Sequence, residues 1–104
     1  NLSSEIFMLE QLESISGQIE KRLQKHSISG KTITLKIKYS DFSLQTRSKT
    51  MPYYISDKNL IFEIVKELLY QERLKDSVRL LGIALSNLNT EQKKTVVIQL
   101  QFDF

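Results

Sequence analysis

The sequence predicts an α+β fold in a single domain. Two segments carry apolar residues at helical spacing, others alternate apolar and polar residues or are rich in β-branched ones, and 104 residues suffice for one modest core but not two. The expected order is helix, strand, strand, helix, strand, tail, with no internal repeat or low-complexity segment.

Residues 4 to 25 place Met8, Leu12, Ile15, Ile19 and Leu23 at steps of four, three, four and four, which is one stripe of an amphipathic helix. Gly30 closes that region. From Thr32 to Tyr39 the chain alternates, with Ile33, Leu35, Ile37 and Tyr39 on one side and Thr32, Thr34, Lys36 and Lys38 on the other, as a half-buried strand requires. Tyr39-Ser40-Asp41-Phe42 carries turn residues, and Ser43 to Thr50 is a polar, β-compatible second strand that should pair with the first. Met51-Pro52-Tyr53-Tyr54 is expected to break the pattern. A second helix follows, with Ser56 as N-cap, Ile55 stapled against Leu60, and a stripe of Leu60, Ile61, Ile64, Val65, Leu68 and Leu69. Val78 to Leu88 predicts a strand with Arg79 at its start and Gly82 allowing a close neighbour. A polar connection, Asn87 to Lys94, leads to β-prone Thr95 to Leu100 and the closing Phe102 and Phe104.

Composition excludes much chemistry. With no Cys and a single histidine, His26, there is no disulfide framework, zinc or iron-sulfur site, or usual Ser-His or Cys-His nucleophile. Three isolated glycines cannot form a phosphate-cradling loop. Glu10 with Glu13 and Glu63 with Glu67 lie opposite the apolar stripes and are solvated helix faces, while His26 suits a helix C-terminus. No segment has the length of a membrane helix, and Asn1-Leu2-Ser3-Ser4-Glu5 does not open like a signal peptide, so a cytoplasmic address is expected. The absence of an initiator Met suggests an internal piece of a longer protein.

The net charge is +3, and residues 31 to 50 carry Lys31, Lys36, Lys38, Arg47 and Lys49 against Asp41 alone. One short segment thus holds the whole positive balance, which is the footprint of a nucleic-acid binder or of a solvated sheet face. Lys36 and Lys38 on one strand and Arg47 and Lys49 on the next are expected together on the open side of the sheet. The aromatics Tyr39, Phe42, Tyr53 and Tyr54 flank this segment, and core or turn packing explains them better than base stacking.

GKTITLKIKYSDFSLQTRSKT at 30 to 50 and SVRLLGIALSNL at 77 to 88, separated by LIFEIVKELL at 60 to 69, resemble the little finger domain of Y-family translesion DNA polymerases, most closely the bacterial members. The K-x-K-Y-x-D-F strand end, the T-R-S strand and the V-R-L-L-G strand carry the resemblance over nearly the whole chain. It implies a sheet with two helices on one face and an open face lying on the backbone of duplex DNA. Lys36, Lys38, Thr46, Arg47, Ser48, Lys49, Thr50 and Arg79 would be the DNA-facing set. Ala84 departs from relatives that carry Arg there.

The family's domain opens with a strand that precedes the first helix seen here, so the resemblance implies three strands and one open sheet edge. That edge would pair with another copy, giving a homo-oligomer, or with the chain's own tail. No catalytic residue and no cofactor are expected in this segment, because the palm and its magnesium ions belong elsewhere in such a polymerase. Gln99, Leu100, Phe102 and Phe104 resemble a QLxLxF peptide that binds the sliding clamp, which divides the chain into a domain at 1 to 98 and a peptide at 99 to 104. Without the resemblance, Thr95 to Phe104 would be a terminal strand of the core. A small basic module that binds protein or RNA is the alternative to the polymerase reading.

Overall fold

The computed structural model describes residues 5–89 and 96–101. They form α1 (Glu5–Lys25), β1 (Gly30–Tyr39), β2 (Leu44–Ile55), α2 (Lys58–Gln71), β3 (Val78–Leu88) and β4 (Val96–Gln101). The strands make one antiparallel sheet in the order β2-β1-β3-β4. Both helices cover one face of it, α2 over β1 and β2, α1 over β3 and β4, so the α+β class stands as predicted.

The stripes of both helices are what the sheet buries. Met8, Leu12, Ile15, Ile19 and Leu23 of α1 and Ile61, Ile64, Val65, Leu68 and Leu69 of α2 meet Ile33, Leu35 and Ile37 of β1 and Leu81, Ile83 and Leu85 of β3 in one cluster. Burial of this apolar surface is the main force holding the layers together. The N-cap of α2 is Asp57 rather than Ser56: its extended backbone lets the carboxylate accept from the Leu60 amide at 3.0 Å.

Strand β2 runs on through Pro52 to Ile55, where a break was expected. Its pairing with β1 lapses between Thr50 and Ile55, which rejoin opposite Thr32 and Gly30, and β2 is the outer strand, where a missing proline N–H is tolerated. Gly30 sits where the end of β3 leaves no room for a side chain on β1. A Cβ there would stand 2.7 Å from Leu85 Cγ and 2.8 Å from the Ser86 carbonyl oxygen. Gly30→Ala is therefore expected to cost about 1–3 kcal/mol through overpacking, read as a lower midpoint in chemical denaturation at unchanged m-value.

The three-stranded sheet with an open edge is corrected by β4. Leu80 to Leu85 of β3 pair with Gln101 to Val96 of β4, so of the two partners expected for that edge, a second copy or the chain's own tail, it is the tail that occupies it. Gln99 and Leu100 stand in this strand opposite Gly82 and Leu81, so the boundary drawn between 98 and 99 falls inside β4. Phe102 and Phe104 lie outside the described residues.

Candidate nucleic-acid interface

The face of the sheet away from the helices is set by register. Directly opposed residues of an antiparallel pair share a face, and β1 places Thr32, Thr34, Lys36 and Lys38 opposite Thr50, Ser48, Thr46 and Leu44 of β2. The same four residues oppose Ser86, Ala84, Gly82 and Leu80 of β3. The odd-numbered partners Ile33, Leu35 and Ile37 are buried beneath the helices, so the even-numbered set is the open face. Lys36, Lys38, Thr46, Ser48 and Thr50 are thus brought together as expected. Their hydroxyls form a ladder, Thr32 with Thr50 at 2.9 Å and Thr34 with Ser48 at 2.8 Å, and Asn87 Nδ2 donates to Thr32 Oγ1 at 2.6 Å.

Arg47 and Lys49 are not part of it. They oppose Leu35 and Ile33 and therefore point to the helix side. Arg47 is 6% exposed, and its Nη1 donates to the carbonyls of Leu68 at 2.9 Å, Leu69 at 2.8 Å and Glu72 at 3.2 Å. Its charge closes the C-terminus of α2, where free carbonyls and the helix dipole both favour a cation. Gln45 Oε1 accepts from Arg47 Nη2 and from the Tyr39 hydroxyl, joining the hairpin to the helix end. Lys49 makes a two-oxygen ion pair with Glu67 of α2, at 2.9 and 3.0 Å. One residue is structural and the other is neutralised.

Arg79 reaches the open side by an irregularity. Lys38 opposes Leu80 but Tyr39 opposes Val78, so Arg79 is the extra residue of a β-bulge, a device that re-aims a side chain. Its guanidinium lies over the ring of Phe42, 4.5 Å from the centroid, and Lys38 Nζ lies 5.6 Å from the same centroid. Among the described residues, Lys36, Lys38 and Arg79 have no carboxylate partner, whereas Lys49, Lys58, Lys66 and Lys75 do.

Phe42 was read from the sequence as turn packing, yet it is 61% exposed. The loop that carries it is tightly held. Asp41 accepts from the Ser43 amide at 2.9 Å and the Ser43 hydroxyl at 2.6 Å, bonds that hold its carboxyl below the usual aspartate value, with Lys75 acting in the same direction. The one signal available was period two itself, which places Thr32 and Thr34 beside the lysines; nothing in the sequence marked Phe42 as a seat for two cations.

Among the described residues of β1, β2 and β3 this face carries its cations and hydroxyls beside Leu44, Leu80, Gly82 and Ala84, with no acid among them. An open groove lined by Met8, Leu69, Tyr70, Glu72, Arg73 and Leu74 lies on the helix layer instead, so a small-molecule cleft and the cations do not coincide. Among the described residues no cluster of three or more His, Cys, Asp or Glu side chains could hold a metal ion, and no helix is long and apolar enough to cross a membrane.

Comparison with known proteins adds a family. The impB/mucB/samB family C-terminal domain matches residues 1–101. A DNA polymerase IV of Leptospira interrogans is 42% identical over 94 residues, covering 83% of this chain and 26% of the relative. DNA polymerase IV of Clostridium perfringens is 40% identical over 101 residues, covering 92% and 27%, and that of Bacteroides fragilis 35% over 97 residues, covering 90% and 27%. The chain spans about a quarter of the length of these relatives.

Proposed function

The chain belongs to the impB/mucB/samB C-terminal domain family, the little finger of the Y-family DNA polymerases, and from that premise we propose that it grips the backbone of duplex DNA for a translesion polymerase. The single observation that carries this reading is the open face, where Lys36, Lys38 and Arg79 stand, among the described residues, without carboxylate partners beside a ladder of hydroxyls. Cations and hydroxyls without a shaped pocket suit phosphate oxygens, which carry no sequence information and so permit contact with any template. Nucleotidyl transfer, and the magnesium it uses, would be the work of the remaining length of the parent.

Gln99-Leu100-Gln101-Phe102-Asp103-Phe104 is the second part of the proposal, a peptide for the sliding clamp. A glutamine amide can donate and accept at the mouth of a pocket while the apolar side chains anchor in a groove. Since Gln99 and Leu100 pair with β3, the clamp would have to draw them off the sheet.

Binding of a labelled mixed-sequence duplex, followed by anisotropy across a salt series, tests the DNA reading. Affinity should fall steeply with salt and hardly vary with sequence. Lys36→Ala should weaken every duplex alike and flatten the salt slope by about one unit. A salt-independent affinity, or a Lys36→Ala protein that is folded and binds as before, would leave the face a solvated surface; tighter binding to RNA or to an acidic protein would favour the interaction-module alternative.

A further inference from the structure

Phe42 combines three features that packing does not explain. It is a large apolar side chain left mostly in solvent, it has a φ of +67° in the left-handed region that disfavours residues other than Gly, Asn and Asp, and it carries a cation on its ring from each of two strands. The turn itself would be served better by Gly. Phe42 N donates to the Tyr39 carbonyl at 2.9 Å and Tyr39 N to the Ser43 carbonyl at 2.9 Å, both backbone bonds that need no side chain at position 42. The Arg79 bulge is a second departure from regular backbone, and it delivers its side chain to the same ring. Two local distortions, one in the turn after β1 and one in β3, thus converge on one cluster. Strain kept at a surface position points to a use of that position.

We propose that Phe42 is a positioning residue that holds Lys38 and Arg79 as a preformed two-cation clamp for a single DNA phosphate. This rests on the reading of the open face as the DNA surface and deepens it by naming where contact is most ordered. Two long cationic side chains in solvent lose rotamer freedom when they bind and repel each other when brought together. An aromatic ring within reach of both supplies the electrostatic attraction that offsets both, since its π-faces are negative. The ring contacts the cations, and the cations contact the phosphate. Ser40 N, bonded to the Ser77 carbonyl at 2.8 Å, and Lys75, 3.7 Å from the Asp41 carboxylate, fix the loop to the chain leading into β3 and so fix the ring relative to Arg79.

Phe42→Gly separates structure from function because Gly prefers the backbone that Phe42 is forced to adopt. On the 104-residue chain, the expected result is an unchanged or higher melting temperature together with duplex affinity reduced on the order of tenfold, because two cationic side chains freed from the ring must then be ordered at the moment of binding. Phe42→Trp should restore most of the binding and Phe42→Asn should not, although Asn tolerates the left-handed backbone. In the Phe42→Gly background, Lys38→Ala should cost less than it does alone, because the clamp is already dispersed. A folded Phe42→Gly protein with unchanged affinity, while Lys36→Ala still weakens binding, overturns the clamp and leaves the DNA face intact. Loss of folding in both Phe42→Gly and Phe42→Asn makes the ring a packing element and overturns it as well. Failure of Lys36→Ala to weaken binding refutes the DNA face itself.

Discussion

Replacing Arg47 by Ala should destabilise the domain by about 3 kcal/mol, more than any other single charge, and lower the melting temperature by roughly 15 °C. The expectation follows from what the guanidinium leaves behind. The carbonyls of Leu68, Leu69 and Glu72 would lose a charged donor at a buried helix end, and water could reach them only by opening the layer. Arg47→Lys should recover a minor part, since one ammonium cannot span the helix end and Gln45 as the planar fork does. Lys49→Ala provides the contrast: its pair with Glu67 is partly exposed and should be worth no more than about 0.5 kcal/mol. Thermal melts followed by circular dichroism compare the three. Equal costs for Arg47→Ala and Lys49→Ala would mean that the buried geometry contributes nothing beyond a surface charge.

Truncation after Gln101 and truncation after Ile98 should have different effects, and together they test the tail. Removing residues 102 to 104 should abolish binding to the sliding clamp by taking away both aromatic anchors, with little change in melting temperature. Removing residues 99 to 104 should abolish clamp binding too, and should also lower stability by exposing the backbone of Leu80, Leu81 and Gly82, which now face β4. Duplex affinity should survive both changes. Surface plasmon resonance on immobilised clamp, beside a thermal melt of each variant, makes the comparison; undiminished clamp binding after the longer truncation would refute the clamp-peptide reading.

The helices and the first strand were legible because each buries a single face, and burial writes its period into the chain. Met8 to Leu23 and Leu60 to Leu69 needed only counting, and the alternation from Thr32 to Tyr39 placed Lys36 and Lys38 correctly. The second strand was not legible in this way. Arg47 and Lys49 lie two apart, so they share a face, but which face depends on register with β1, and register depends on the length of the loop. With Ser40, Asp41 and Phe42 between Tyr39 and Ser43, Arg47 falls opposite Leu35. Had the turn closed one residue earlier, with Lys38 opposite Ser43, Arg47 would have fallen opposite Thr34, among the lysines. No composition or spacing rule registers a single residue in a turn, and the carbonyls that receive Arg47 belong to a helix twenty residues further on. The N-cap shifted by one residue, from Ser56 to Asp57, for a milder version of the same reason: either oxygen could serve, and the path of the chain out of β2 decided.

The paired hydroxyls of the open face have a dynamic consequence. When two hydroxyls bond to each other, as Thr34 does to Ser48 and Thr32 to Thr50, one proton is spent between them and the other remains to point outward, polarised by the bond behind it. Either oxygen can take either part, and exchanging the parts moves hydrogens only, on the timescale of exposed side-chain rotation and with no heavy atom displaced. On the proposed DNA reading, a phosphate leaving one oxygen would meet the next with a donor free to turn toward it. Under the proposed function, such a face would offer low friction to a duplex advancing beneath it: grip from the lysines, and slip from protons that change hands.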